Sequence, residues 1–352
     1  MAKKLEENEY NAVHQAQRQH KQQCQRQPFL TNRDRMQRTR IGRFRSASIK
    51  AIGQIGVAWT LTWIVLGIDV LWLTLAGWSM SGRGIVVLTL AVIAFRAPLA
   101  INRYSNDPRI YAPAQAAVLL MVFMAASATL SYLVTSTNAP LVDEQLAAWD
   151  RALGFDWVAL HGWLQGHPTI QTTLRLAYQS GLLQITFVIL FLGFSAQSAQ
   201  LDEFMRLFIV ATVLTILMSG LFPAAGALKH YALVGPSDLS SLSHFELLRD
   251  GRMRDIPLRD MQGLIAIPSL HTVMSVLLVY AMRGTGILLL AFIVVNVAML
   301  VSTPVNGGHY LVDVIAGAAM TLGLIALERL KSMRPYTVTS TTMPINLNEA
   351  RR

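Results

Sequence analysis

Charge and cysteine are what this 352-residue sequence has least of. Only 14% of its residues are Asp, Glu, Lys or Arg, while 53% are hydrophobic. Soluble domains carry roughly 25% charged residues, so the composition is that of a membrane protein. The single cysteine, Cys24, excludes an intrachain disulfide and any cysteine-rich metal site. Eight histidines are scattered along the chain without clustering, so neither a metal nor another cofactor is expected. No Gly-x-Ser-x-Gly elbow surrounds the candidate serine, Ser269, which removes serine-hydrolase chemistry. A soluble catalytic domain and an internal repeat are also missing. Any chemistry must take place at the membrane.

The charge that is present is unevenly placed. Residues 1–50 hold twelve Lys or Arg against four acids, which is +8 of the chain's +10. This stretch is polar, rich in Gln and Arg and without apolar periodicity, which predicts a disordered cytoplasmic tail. It is too long and too polar for the n-region of a signal peptide. A basic run also suits nucleic acid, but no recognisable nucleic-acid-binding fold accompanies it. Its place before the first apolar run favours a topology signal in contact with an anionic membrane surface.

Runs of about 20 apolar residues mark candidate membrane helices. Eight occur, near 51–76, 84–101, 112–135, 171–194, 204–224, 264–283, 285–303 and 309–330. The predicted fold is therefore an all-α polytopic membrane protein in a plasma or inner membrane. Its parts are the tail 1–50, N-terminal membrane helices in 51–135, a core in 136–335 that also uses helix 112–135, and a C-terminal tail 336–352. With the Arg-rich tail in the cytoplasm, eight crossings put Arg96, Arg103, Arg109, Arg206, Arg283, Arg329, Lys331 and Arg334 inside. The acidic segment 136–170 then falls outside, and both termini are cytoplasmic.

Two outer segments are more than connectors. In "PLVDEQLAAWDRALGFDWVALHGWL", residues 140–164, Leu, Trp and Phe recur at amphipathic helical spacing with the acids opposite. This predicts a helix lying along the membrane surface, with Trp149, Trp157 and Trp163 at headgroup level. Residues 225–263 form a long loop with five basic residues and five acids, and loops of that length between helices are commonly functional.

Two short stretches bear chemistry. In "GLIAIPSLHTVMSVLLVY" a proline, a serine and a histidine interrupt an apolar run. Pro268 is suited to begin a helix, leaving the N–H groups of Ser269 to His271 free for an anion such as phosphate. Near the last helix, "STPVNGGHYLVDVIAG" sets His309 and Asp313 four residues apart, on one helical face. An ionised Asp313 in the membrane costs about 2.5–3.5 kcal/mol at a helix centre, which a hydrogen bond from His309 Nδ1 would offset, leaving Nε2 as a nucleophile. Gly307 and Gly308 leave room for a bulky anion. On the eight-helix count both stretches open at the same outer face, where two helix N-termini meet. A purely structural His–Asp pair is the simpler alternative. Asp69, inside the first helix, is a further intramembrane acid.

These residues carry a resemblance. "PSLHT" resembles the Pro-Ser-x-His motif of the type 2 phosphatidic acid phosphatase superfamily, and Ser302, His309 and Asp313 match the spacing of its last motif, Ser-Arg-x5-His-x3-Asp. The likeness covers about residues 140–330, a six-helix core. "TPVNGGHYLVDVIAG", with "DRALGFDW" upstream, is more similar to the branch that contains inositol phosphorylceramide synthases. The resemblance implies that His309 is a nucleophile forming a phosphohistidine, that His271 protonates the leaving alkoxide and that Asp313 orients the nucleophile. It implies phosphate contacts at Ser269 and nearby groups, among them Thr272 and Gly308. Thr303 departs from the pattern by replacing its Arg. The first motif, Lys-x6-Arg-Pro, is hinted at only by Lys229, with Pro236 at the Arg position. Replacement clamps are sought among Lys229, His230, Arg249, Arg252, Arg254, Arg259 and Arg175, with Lys229 and Arg249 foremost.

The resulting expectation is an enzyme moving phosphoryl or phospho-headgroup units on lipids at the non-cytoplasmic face, with a lipid hydroxyl or water as acceptor. A transferase resembling inositol phosphotransferases is favoured over a plain phosphatase. A lipid-binding or transport protein without turnover, and a membrane-tethered nucleic-acid binder, are the readings from other classes.

Overall fold

A computed structural model describes residues 56–233 and 240–333. The expected tails at 1–50 and 336–352, and Pro236, lie outside the described residues. The described chain is helical apart from two two-residue strands, and it is an all-α polytopic membrane protein. In order, it forms α1 (Gly56–Ala76), β1 (Ser79–Met80), α2 (Gly82–Arg96, prolonged by a 3-10 turn) and α3 (Pro108–Thr135). Then come α4 (Asp143–Ala152), α5 (Trp157–Gln165), α6 (Pro168–Gln179), α7 (Gly181–Phe194) and α8 (Ser198–Leu221). Last are α9 (Ser240–Arg249), β2 (Asp255–Ile256), α10 (Leu270–Ala281), α11 (Ile287–Gly307) and α12 (Leu311–Met333).

Among the described residues six helices are long and apolar enough to cross a membrane: α1, α2 with its 3-10 turn, α3, α8, α11 and α12. The predicted segment 171–194 is a broken span, α6 and α7, bent by 46°. The predicted segment 264–283 differs most from expectation. Residues 264–269 are not helical and bend at Ile267 and Pro268, and only then does the 12-residue α10 begin. Proline removes a helix donor and disfavours helical geometry in the residue before it, which explains the late start.

This short helix is the centre of the core. It packs against α7, α8, α11 and α12, and Val273, Leu277, Leu278 and Ala281 on it are wholly buried. Between helices in lipid the hydrophobic effect gives no net attraction, so close fit and internal polar bonds carry the assembly. One such fit is at Gly317 of α12, where a Cβ would lie 2.8 Å from the Ser269 carbonyl oxygen and 3.1 Å from Thr272 Cβ. Another is polar, with Asn296 of α11 donating from Nδ2 to Gln184 Oε1 of α7 at 2.7 Å. At the end of α10 away from His271, Arg283 pairs with Glu203 and Arg206 of α8 pairs with Glu328 of α12 at 2.7 Å.

The N-terminal helices are fastened to the long loop. Ser79 and Met80 pair in parallel with Asp255 and Ile256, and Ser79 Oγ donates to Asp255 Oδ1 at 2.7 Å. Leu73 of α1 packs with Tyr132, Phe245, Leu248 and Ile256. Asp69, one turn earlier, is 2% exposed, and neither of its oxygens has a partner among the described residues. On α2, by contrast, Ile85, Val86, Leu90 and Ile93 are all exposed, as suits a helix that faces lipid on most sides.

Candidate active site

His271 stands in the first turn of α10. Ser269, rather than Pro268, forms the start of this helix: it is the N-cap, and its hydroxyl accepts from Thr272 N–H at 3.5 Å. The Ser269 N–H, expected to be free, donates to the Asp313 carbonyl at 3.1 Å. That bond joins the two chemistry-bearing stretches directly. Leu270 and His271 keep backbone N–H groups without partners among the described residues, as the first turn of any helix must. Thr272 is buried, and its Oγ1 also has no partner among them.

Tyr178 covers His271, with ring centroids 3.7 Å apart and planes inclined by 18°. The same tyrosine approaches the other histidine. A Cβ built on Gly307 would lie 2.7 Å from both Tyr178 Oη and His309 Cδ2, so all three meet at one point. The two histidines therefore share one end of the bundle, as expected. The two glycines do not hold open a space for an anion, however. Tyr178 and His309 fill the room beside Gly307, and Leu228 fills that beside Gly308, with Cδ1 2.9 Å from a hypothetical Cβ. Gly308 also has φ +66°, a left-handed conformation that closes α11 and favours glycine.

His309 precedes α12 instead of sharing a helical face with Asp313. Its Nδ1 is 3.4 Å from Asp313 Oδ2, a long contact, while Tyr310 N–H donates to the same oxygen at 2.9 Å. His309 is 5% exposed and Asp313 is fully buried. Nε2 of His309 has no partner among the described residues.

Held around His309 is a bracket that the expected site did not include. Trp157 Nε1 donates to the His309 carbonyl at 3.0 Å, and Ala227 N–H donates to the Gly308 carbonyl at 2.8 Å. Asp150 accepts from Leu311 N–H at 2.8 Å and from Val312 N–H at 3.0 Å. Burial pushes the Asp150 carboxyl above the usual range, and the two N–H groups draw it back. Asp143 accepts from Ala225 and Gly226 N–H, each at 2.9 Å, and from Tyr310 Oη at 2.9 Å.

Three expectations are corrected by these bonds. Trp157 is 1% exposed and belongs to the protein interior, while Trp149 and Trp163 are exposed. Two of the three acids of α4 do not face away from its apolar side: Asp143 and Asp150 share the buried face with Leu146 and Ala147, and only Glu144 is exposed. The N-terminus of α12 is not free for an anion either, because Asp150 and Asp313 already take its N–H groups. Only the start of α10 remains open. The signal for the bracket is present in "DEQLAAWD", where positions 143, 146, 147 and 150 recur as one helical stripe. Treating acids as solvent-facing reversed the face.

The candidate clamps are distributed as follows. Lys229, in a one-turn helix after α8, has a 38% exposed side chain and pairs with Glu246 of α9. Burial pushes its ammonium below the ordinary lysine range, Arg249 adds to this, and Asp143 and Asp250 oppose it. Arg249 Nη2 donates to the Ala139 carbonyl at 2.9 Å, whereas its buried Nη1 has no partner among the described residues. Arg252 pairs with Asp250 at 2.5 Å, and Arg175, His230, Arg254 and Arg259 are exposed. Thr303 is fully buried, with Oγ1 donating to the Met299 carbonyl at 2.8 Å. Ser302 accepts from Asn306 Nδ2 at 3.1 Å. Among the described residues no three His, Cys, Asp or Glu side chains are grouped to hold a metal.

The family model described as the PAP2 superfamily matches residues 144–327, more than half of the chain. No curated protein and no solved structure matches it.

Proposed function

Because this chain belongs to the PAP2 superfamily, we propose that it is a membrane-embedded lipid phosphotransferase working through a phosphohistidine on His309. The observation that carries the reading is the backbone bond from Ser269 to Asp313, which joins the His271 and His309 stretches into one site. His309 Nε2 attacks phosphorus and forms the N–P bond while the bond to the leaving alcohol breaks. His271, entering as imidazolium, delivers its proton to the departing alkoxide. The now neutral His271 then removes a proton from an acceptor hydroxyl, whose oxygen attacks phosphorus and releases His309. Asp313 holds Nδ1 and offsets the positive charge that develops on the ring.

Phosphoryl transfer needs positive charge around the equatorial oxygens. The unpartnered N–H groups of Leu270 and His271 provide part of it, with Ser269 and Thr272 beside them and Gly308 at the nucleophile. Lys229 and Arg249 are the cationic candidates, and the unpartnered Nη1 of Arg249 supports that role. Thr303, in place of an arginine, bonds within its own helix. The smaller positive charge suits a phosphodiester better than a phosphomonoester, and this favours headgroup transfer of the inositol phosphotransferase kind over plain phosphate release. The basic residues Arg206 and Arg283 lie at the far end of the bundle, which supports an active site on the non-cytoplasmic face and an anionic surface contact for the basic tail.

The test uses the full chain in liposomes, wild type beside His309→Ala. Labelled phosphatidic acid and phosphatidylinositol are offered with and without ceramide or diacylglycerol. A new phospholipid that requires the acceptor, and is lost in the variant, is expected. Acceptor-independent phosphate release would make the protein a phosphatase. Equal behaviour of both proteins across a donor panel would remove the catalytic reading and leave lipid binding.

A further inference from the structure

His309 owes little of its position to its own side chain. The one protein group its ring nitrogens reach among the described residues is Asp313, at 3.4 Å. Its backbone, by contrast, is bonded on both sides. Before it, the Gly308 carbonyl takes the Ala227 N–H. At the residue itself, the carbonyl takes the Trp157 indole N–H at 3.0 Å. After it, Leu311 and Val312 give their N–H groups to Asp150, and Tyr310 gives its hydroxyl to Asp143.

Apart from Asp313, which takes the Tyr310 N–H from within α12, the side-chain acceptors stand on α4, and Trp157 opens α5. Asp143 also fixes Ala225 and Gly226, so the turn that supports Gly308 hangs from the same helix. Asp150 is fully buried. An unpaired carboxylate there would be costly, but two charge-assisted N–H bonds at the positive end of α12 offset the burial.

We propose that Asp150 and Asp143 are positioning residues for phosphoryl transfer: from the surface helix they set the backbone of residues 308–312 and thereby aim His309 Nε2. The assignment rests on the phosphohistidine reading given above. It has a second consequence. Because Asp150 and Asp313 occupy the donors of α12, the transferring phosphoryl group is directed to the free N–H groups of Leu270 and His271. The bracket both aims the nucleophile and leaves one anion seat in place of two.

The experiment compares wild type, Asp150→Ala, Asp150→Ser, Trp157→Phe and His309→Ala as full-length protein in liposomes. The probe is phosphatidylinositol radiolabelled in its phosphate, with ceramide as acceptor, and kcat and KM for the new phospholipid are measured together with alkali-stable label on the protein. A misplacement of about 1 Å at a reacting atom lowers rate on the order of 10²-fold. Asp150→Ala is expected to lose kcat on that scale with KM little changed, and to carry less trapped label. Asp150→Ser retains one acceptor for an α12 N–H and should recover part of kcat. Trp157→Phe keeps an aromatic ring, though a smaller one, and removes the donor to the His309 carbonyl, so it reports on the bracket even where Asp150→Ala does not fold. A folded Trp157→Phe or Asp150→Ala with wild-type kcat and label, beside an inactive His309→Ala, would overturn the bracket alone. If His309→Ala is itself fully active, the functional reading fails instead, and the positioning role fails with it.

Discussion

Tyr178 lies flat on His271, with ring centroids 3.7 Å apart. The tyrosine stands just before the 46° bend that separates α6 from α7, so the break in the span brings an aromatic face over the imidazole. A π-face attracts a cation by about 0.5–2 kcal/mol. The contact therefore stabilises a protonated His271, the form required by the general-acid role proposed for it.

Tyr178→Phe keeps that face and should retain most of the activity. Tyr178→Ala should lower kcat roughly 2- to 30-fold, the kinetic equivalent of the cation–π range, with the loss growing towards alkaline pH. Matched pH–rate profiles decide the matter. Parallel losses in both variants would show that the hydroxyl, rather than the ring, is what counts.

Lys229 and Glu246 make opposing predictions. Glu246 engages the ammonium proposed as a phosphate clamp, so Glu246→Gln should lower KM for the phosphodiester donor. The change should be only about two- to fivefold, since half-exposed ion pairs are worth roughly 0–1 kcal/mol. Lys229→Met should raise KM instead. The pH dependence has a definite sign: the ammonium sits below the usual lysine value, so binding that depends on it is present at lower pH. It is lost as pH rises through that lowered value, before an ordinary lysine would titrate. KM against pH for wild type and Lys229→Met is the check.

Gly317→Ala puts a methyl group 2.8 Å from the Ser269 carbonyl oxygen. The nearest atom is a backbone oxygen, with Thr272 Cβ 3.1 Å away, so α12 must move away from α10 and carry Asp313 from Ser269. Overpacking of this kind typically costs about 1–3 kcal/mol. A lower thermal transition and a clear loss of kcat are expected together, and an unchanged transition would show that the helices have slack.

Restoring the superfamily arginine should fail. Thr303 is fully buried and satisfies its hydroxyl within α11, so Thr303→Arg would force a guanidinium into the packed interior. Unpaired buried charge is strongly destabilising, by about 3–5 kcal/mol when one partner is absent. Expression and thermal unfolding in detergent measure it. A stable, faster phosphatase would instead mean that the site still accommodates the clamp.

Much of this architecture is legible in the sequence because lipid imposes length. Apolar runs of about 20 residues mark α1, α3, α8, α11 and α12 well. What is not legible is where such a run stops being helix. In 264–283 the composition stays apolar through a non-helical stretch, and only Pro268 and Ser269 hint at the change. The pairing of His309 with Asp313 follows from their spacing, although His309 stands before the helix. Periodicity also groups Asp143 with Asp150, but it does not say which side of α4 is inside. Carboxylates normally point to water, and here backbone donors from α12 and the 225–226 turn reverse the usual side. Trp157 leaves the headgroup level for a related reason: an indole whose N–H has a buried acceptor need not sit at the headgroups.

The parallel pairing of Ser79 and Met80 with Asp255 and Ile256 has a consequence for biosynthesis. The two strands are separated by about half the chain, and the Ser79–Asp255 contact spans 176 positions. When α1 and α2 leave the ribosome, the strand that will pair with β1 has not been translated. It arrives only after α3 to α9 have been made and just before α10, the helix that bears His271. The first hairpin in the bilayer must therefore wait with an unpaired edge, and the loop that completes it leads directly into the helix that bears His271. Truncation from the N-terminus removes the partner of β2, and an early stop before residue 255 leaves β1 bare. Each end of synthesis holds what the other needs.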